Sequence, residues 1–206
     1  MADYTTASEV RALETDSDFV TDSSYDALLA AFIAAASRLI DHYVGGWDDY
    51  FYPSTVDETR YFDGSGDKEI WIDPLVTLTS VAVDESDSGT FTTWTKDTDF
   101  IVWPYNYTGI GKPIQRLDVK RSGSKCVWYS FQANVRVIGV FGYSAEPPDT
   151  IVTACKIQTS RWFHRAKGGF EDSQASAAIG QMFYTQELDP DIRLLLQPYR
   201  VGNTAI

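Results

Sequence analysis

The chain has 206 residues, with 17 Lys or Arg set against 29 Asp or Glu for a formal net charge of -12. Hydrophobic content of 44%, charged content of 22% and a mean hydropathy of -0.22 describe a folding chain of about one domain, and exclude a disordered or collagen-like one. The acidic balance argues against a protein that grips nucleic acid, because phosphate contacts need clustered Lys and Arg.

Aromatic content of 14%, with 6 Trp, 12 Tyr and 11 Phe, points either to broad contact surfaces or to a β-rich core. Only Cys126 and Cys155 are present, so a disulfide framework is excluded, and neither stands in a zinc-binding spacing. Both read as small buried hydrophobes in a reducing compartment. The polar start Met1-Ala-Asp-Tyr-Thr-Thr has no signal-peptide pattern, and the longest apolar run, 27–36, is too short for a bilayer. A cytoplasmic origin and no membrane partner are the expectation.

In chain order, Thr6-Ala-Ser-Glu9 has the form of a capping box ahead of Val10 and Leu13, which predicts a short helix over about 8–14. Over 24–44 apolar residues recur at Tyr25, Leu28, Leu29, Phe32, Ile33, Ala36, Leu39, Ile40 and Tyr43, the three-and-four spacing of one buried helical stripe. Asp22 or Ser23 can cap its start, and Gly45-Gly46 ends it.

The period then changes to two. Strands are predicted over 58–63 and 68–73 as a hairpin about Gly64-Ser-Gly66, and over 75–83, 91–96, 99–103, 114–120 and 127–140. Helical grammar returns at Pro147-Pro148-Asp149 and runs through Ile151, Cys155, Trp162 and Phe163 to Gly168-Gly169. A loop over 169–188, mobile or ordered by a partner, follows. Asp189-Pro190 announces a last short helix carrying Ile192, Leu195, Leu196 and Tyr199.

Segregated helices and strands predict an α+β fold. In detail the expectation is one domain, 1–206: a small, mainly α-helical bundle (1–57 and 143–206) with an antiparallel β subdomain (about 58–142) inserted between its second and third helices. Residues 24–44 and 149–167 are expected to be antiparallel neighbours, sharing a core of Phe32, Leu39, Ile151 and Cys155.

Chemistry is thinly represented. His42 and His164 are the only histidines, each late in a predicted helix where a cation is favoured, and no nucleophile elbow or phosphate loop accompanies them. Asp63-Gly-Ser-Gly-Asp67 opens like a calcium loop, but Pro74 stands where the twelfth-position glutamate is required, so turn chemistry explains it better. Asp84, Glu85 and Asp87 read as a solvated acidic turn. No catalytic residue, cofactor or metal is expected. The rival from another class is a carbohydrate-binding or glycan-cleaving β-rich protein using aromatic and paired acidic residues.

Taken in order, Ser37-Arg-Leu-Ile-Asp-His-Tyr-Val, Thr59-Arg-Tyr-Phe-Asp-Gly-Ser-Gly, Val137-Ile-Gly-Val-Phe-Gly-Tyr leading to Pro147-Pro148-Asp149, the 154–165 helix and Leu194-Leu-Leu-Gln-Pro-Tyr-Arg200 resemble the head-tail connector, or adaptor, proteins of tailed bacteriophages. The resemblance implies a structural virion protein of the phage neck, made in the host cytoplasm. It also implies a ring of about twelve copies under the portal protein, meeting the next neck or tail protein, with DNA passing without sequence-specific binding. A portal interface is expected at Ile192, Leu195, Tyr199, Arg200, Val201 and Ile206, the stripe being shared with docking onto the chain's own bundle. A partner loop is expected at Phe170, Met182, Phe183 and Tyr184.

Overall fold

The computed structural model describes residues 2–13, 23–167, 173–176, 181–184 and 188–200. The chain divides into two compact units, one of Met1–Asp49 with Pro147–Ile206, the other of Tyr50–Glu146.

In the first unit, α1 (Ala7–Arg11) begins at the expected capping box: the Thr6 hydroxyl accepts from the Glu9 N–H, and the Glu9 carboxylate accepts from the Thr6 N–H. Helix α2 (Asp26–Val44) ends where Gly45 takes a left-handed φ of 84°. It packs antiparallel on a later helix, Asp149–Lys167, with Tyr25 edge-on to Phe163 near one end and the Ser37 hydroxyl 3.6 Å from the Cys155 sulfur further along. Ile151 and Cys155 are buried as expected, whereas Phe32 and Leu39 are only half-buried. The buried face is instead Leu29, Ile33, Ala36, Ser37, Ile40, Asp41 and Val44. By length and hydropathy α2 could cross a membrane. Its packing on another helix and its buried Asp41 mark a core helix.

The second unit is built on one six-stranded antiparallel sheet. Its strands are β1 (Glu58–Phe62), β2 (Glu69–Val83), β3 (Thr92–Trp94), β4 (Phe100–Trp103), β5 (Ile114–Val119) and β6 (Val135–Phe141), with a single helical turn, α3 (Tyr107–Ile110), between β4 and β5. The order is β1-β6-β2-β5-β4, and β3 pairs with the end of β2. β1 and β2 do not pair with each other, so the expected hairpin about Gly64-Ser-Gly66 is corrected: β6 lies between them. The glycines turn the chain beside 128–131 instead, where the Gly64 N–H donates to the Phe131 carbonyl and the Gly66 N–H to the Trp128 carbonyl. The early part of the predicted 127–140 strand is used in that way, and only Val135–Phe141 joins the sheet.

The predicted strands 68–73 and 75–83 are one strand of 15 residues. Pro74, which cannot donate to a ladder, sits where the pairing with β5 shifts register between Trp71 and Leu75. Trp94 and Trp128 stack at 4.7 Å between ring centres in the core, with Phe100 edge-on to Trp128. Buried Asn134 ties this region together, donating to the Tyr129 and Asp84 carbonyls and accepting from the Gly64 N–H.

The remaining elements belong to the first unit: α4 (Asp149–Lys167), a hairpin of β7 (Ser173–Ser176) and β8 (Gln181–Tyr184), and α5 (Pro190–Leu196), followed by a 3-10 turn at Gln197–Tyr199. The α+β class holds, but a mainly helical bundle with an inserted β subdomain does not. A six-stranded sheet carries half the architecture, and two of the expected bundle helices, α1 and α5, are only 5 and 7 residues long. Short helices cannot bury enough surface to make a bundle the dominant body. The expected loop over 169–188 likewise contains the β7–β8 hairpin.

Candidate interaction surfaces

Residues 188–200 dock on their own unit. Asp189 caps α5 by accepting from the Asp191 N–H at 2.7 Å, with Pro190 in the first turn, and its carboxylate pairs with Arg161 of α4. Ile192 and Leu196 are fully buried with Leu188, so Ile192 belongs to the core and not to a partner-facing stripe. Leu195 and Tyr199 are half-buried, and exposed Arg200 lies over the Tyr43 ring at 5.5 Å. Leu194, outside the predicted stripe, is 69% exposed. Met182, Phe183 and Tyr184 lie in β8, opposite Ala175, Gln174 and Ser173 of β7. Phe170, Val201 and Ile206 lie outside the described residues.

A second surface emerges only from strand register. Trp71 of β2, Arg116 of β5 and Trp103 of β4 stand directly opposite one another across three adjacent strands. Residues so paired share a sheet face, and here the Arg116 guanidinium lies 5.5 Å from the centre of the Trp71 ring and 5.0 Å from that of Trp103. It donates to the Asp118 carboxylate at 3.0 Å and forms ion pairs with Asp118 at 2.8 Å and Glu69 at 3.1 Å. Tyr105 continues the row, edge-on to Trp103 at 4.9 Å. Trp71 is 58% exposed and Tyr105 55% exposed. The only sequence signal for this row is the high aromatic content; the pairing itself is invisible until strand order is known.

The polar centre of the first unit is a clamp on the N-terminal segment. Asp41, fully buried on α2, accepts from the Tyr4 hydroxyl and from the Asp49 N–H, and pairs with Arg38 at 3.4 Å. Arg38 also pairs with Asp49 and donates to the Ala2 carbonyl. Burial pushes the Asp41 carboxyl up to about 6, and the Tyr4, Arg38 and Asp49 contacts offset this only in part.

The other residues singled out in the sequence have structural uses. His42, exposed near the end of α2, faces Asp48 at 3.2 Å, and exposed His164 stands edge-on to Phe163 in the last turn of α4. Asp63 accepts from the Ala133 N–H. Asp84, contrary to a solvated turn, is buried; burial raises its carboxyl, but N–H groups of Ser88, Ser86, Gly89 and Asp87 outweigh this and hold it below the usual range. Glu85 accepts from the Trp94 indole N–H at 2.9 Å and pairs with Lys125. Cys155 is buried and Cys126 exposed, which corrects the expectation of two buried thiols. Among the described residues no three His, Cys, Asp or Glu side chains gather as metal ligands would.

No protein-family model matches the sequence, and no curated protein matches it. Among solved structures, a chain from the virion of the native gene transfer agent (GTA) particle is similar in fold. The match covers 96% of this chain and 89% of that one, with a TM-score of 0.53 and 15% sequence identity.

Proposed function

We propose that the protein is a structural subunit of a phage-like virion, forming a ring under the portal that joins the head to the tail and prolongs the DNA channel. The observation that carries this reading is the fold likeness to a virion chain over nearly the whole length of both proteins. Fold alone does not carry function, so chemistry has to agree with it. A net charge of -12 suits a channel wall along which DNA slides without being held. The exposed Trp, Tyr and Leu side chains on both units suit repeated subunit contacts, where aromatic anchors are favoured.

On the C-terminal side, contact with the portal is assigned to the described residues left outside the core, Leu194, Leu195, Tyr199 and Arg200, and to residues 201–206. The reading is tested by mixing the purified full chain with tailless, portal-bearing heads and imaging the product by negative stain. Attachment of a ring at the portal vertex is expected, and weaker attachment for a chain lacking residues 201–206. A protein that stays monomeric and leaves the heads bare overturns the proposal.

A further inference from the structure

The row of Trp71, Arg116 and Trp103 is a cation–π stack that stops one rung short. The Arg116 guanidinium lies over both indole rings and is ion-paired with Asp118 and Glu69. Trp71, at 58% exposure, has open π surface beyond that contact. Beside it stands the Glu69 carboxylate, whose side chain is 52% exposed and whose oxygens have lone pairs beyond the 3.1 Å contact to Arg116, its one ion pair among the described residues. An exposed indole next to a half-exposed carboxylate is complementary to one chemical group above others: a planar guanidinium, which stacks on the ring and donates two parallel N–H bonds to the carboxylate.

We propose that this sheet face docks an arginine-bearing, basic segment of a partner protein, with one arginine completing the stack on Trp71 and bonding Glu69. Charge complementarity selects that occupant. Glu69 and Asp118 outnumber Arg116 on the row, and the chain as a whole carries -12, so a basic segment is drawn to it while an acidic segment or DNA is repelled. The row is also preorganised: the two carboxylates and two rings hold Arg116 in place before any partner arrives, so little side-chain freedom is lost on binding. Trp, Tyr and Arg are the residues that most often dominate binding energy at interfaces, and Trp71, Trp103, Tyr105 and Arg116 are all of those types. The inference stands on this geometry and not on the virion reading.

The test uses the full chain with its 6 tryptophans labelled for indole N–H NMR, titrated with a capped Gly-Arg-Gly-Arg-Gly peptide. Movement of the Trp71 and Trp103 signals, assigned through Trp71→Phe and Trp103→Phe, is expected while the core Trp94 and Trp128 signals stay in place. The dissociation constant is expected to rise at least fivefold in Trp71→Ala, in Glu69→Gln and on added salt, and a Gly-Glu peptide of the same length is expected to leave the signals unmoved. Unchanged core indole signals establish that each variant is folded. Should Trp71→Ala not fold, Glu69→Gln decides alone, since its side chain is half exposed. An arginine peptide that moves neither signal, or binds Trp71→Ala as well as the parent, overturns the proposal. So does cellohexaose moving the same signals where the arginine peptide does not, an outcome that makes the face a sugar platform.

Discussion

Asp41 shows how one buried carboxylate couples the N-terminal segment to pH. Its folded-state value of about 6 lies above the usual 3.8, so the folded chain holds this proton more tightly than the unfolded one does. The contribution of Asp41 is therefore most favourable below about pH 4 and is lost as the pH rises through 6. Asp49 runs the other way: burial raises it, but the Ala2 N–H and Arg38 outweigh that and hold it low, so its stabilisation is lost as the pH falls. Comparing Asp41→Asn with the parent isolates the first effect. The melting temperature of Asp41→Asn relative to the parent is expected to climb from pH 4 to pH 7; a flat or falling difference contradicts the assignment. Gly139 in β6 supplies a second prediction at this level. A Cβ there would lie 2.1 Å from the Thr77 carbonyl oxygen of β2, beside the register shifts in that pairing. Gly139→Ala forces the two strands apart and is expected to cost about 3 kcal/mol in denaturant unfolding. A cost near zero would mean that the strands yield freely.

Among the elements, α2 is where hydrophobic pattern and packing diverge. Leu, Phe and Tyr recur around a wide arc, and composition ranks Phe32 with Ile33. Burial separates them: Ile33 is in the core against α4, while Phe32 lies at its margin, 6.2 Å from the Trp162 ring centre. Ile33→Ala is expected to lose about 2–5 kcal/mol, and Phe32→Ala about 2 kcal/mol, because part of the Phe32 ring is already in water. Equilibrium denaturation giving the reverse order would show that the helix face is misplaced. The polar part of that face, Ser37 and Asp41, could not be read from hydrophobicity, since its burial is offset by partners more than thirty residues away, Tyr4 among them. β2 teaches the same lesson from the other side. Pro74 argues locally for a break, yet the strand continues through it because the ladder to β5 shifts register there.

For the whole molecule, the expected β insertion is a sheet-based unit of its own, Tyr50–Glu146, and both ends of the chain make up the other unit. The structural reading of function predicts that replacing both histidines, His42→Gln with His164→Gln, leaves assembly onto portal-bearing heads unchanged, since both side chains are exposed at helix ends. Loss of attachment by a folded double variant would reopen a chemical role for one of them.

Local signals determined much on their own: the capping box at Thr6, the Gly45 stop, the Asp189-Pro190 start and the approximate place of most strands, all of which depend on residues within a few positions of each other. The tertiary structure alone decided that β6 enters between β1 and β2, that Ile192 turns inward while Leu194 faces solvent, and that Trp71, Arg116 and Trp103 form one row. The physical reason is range. Caps and turns are satisfied by neighbours along the chain, whereas strand order and the facing of side chains across a sheet depend on which distant segments exchange hydrogen bonds, and many pairings satisfy the same alternating pattern equally well.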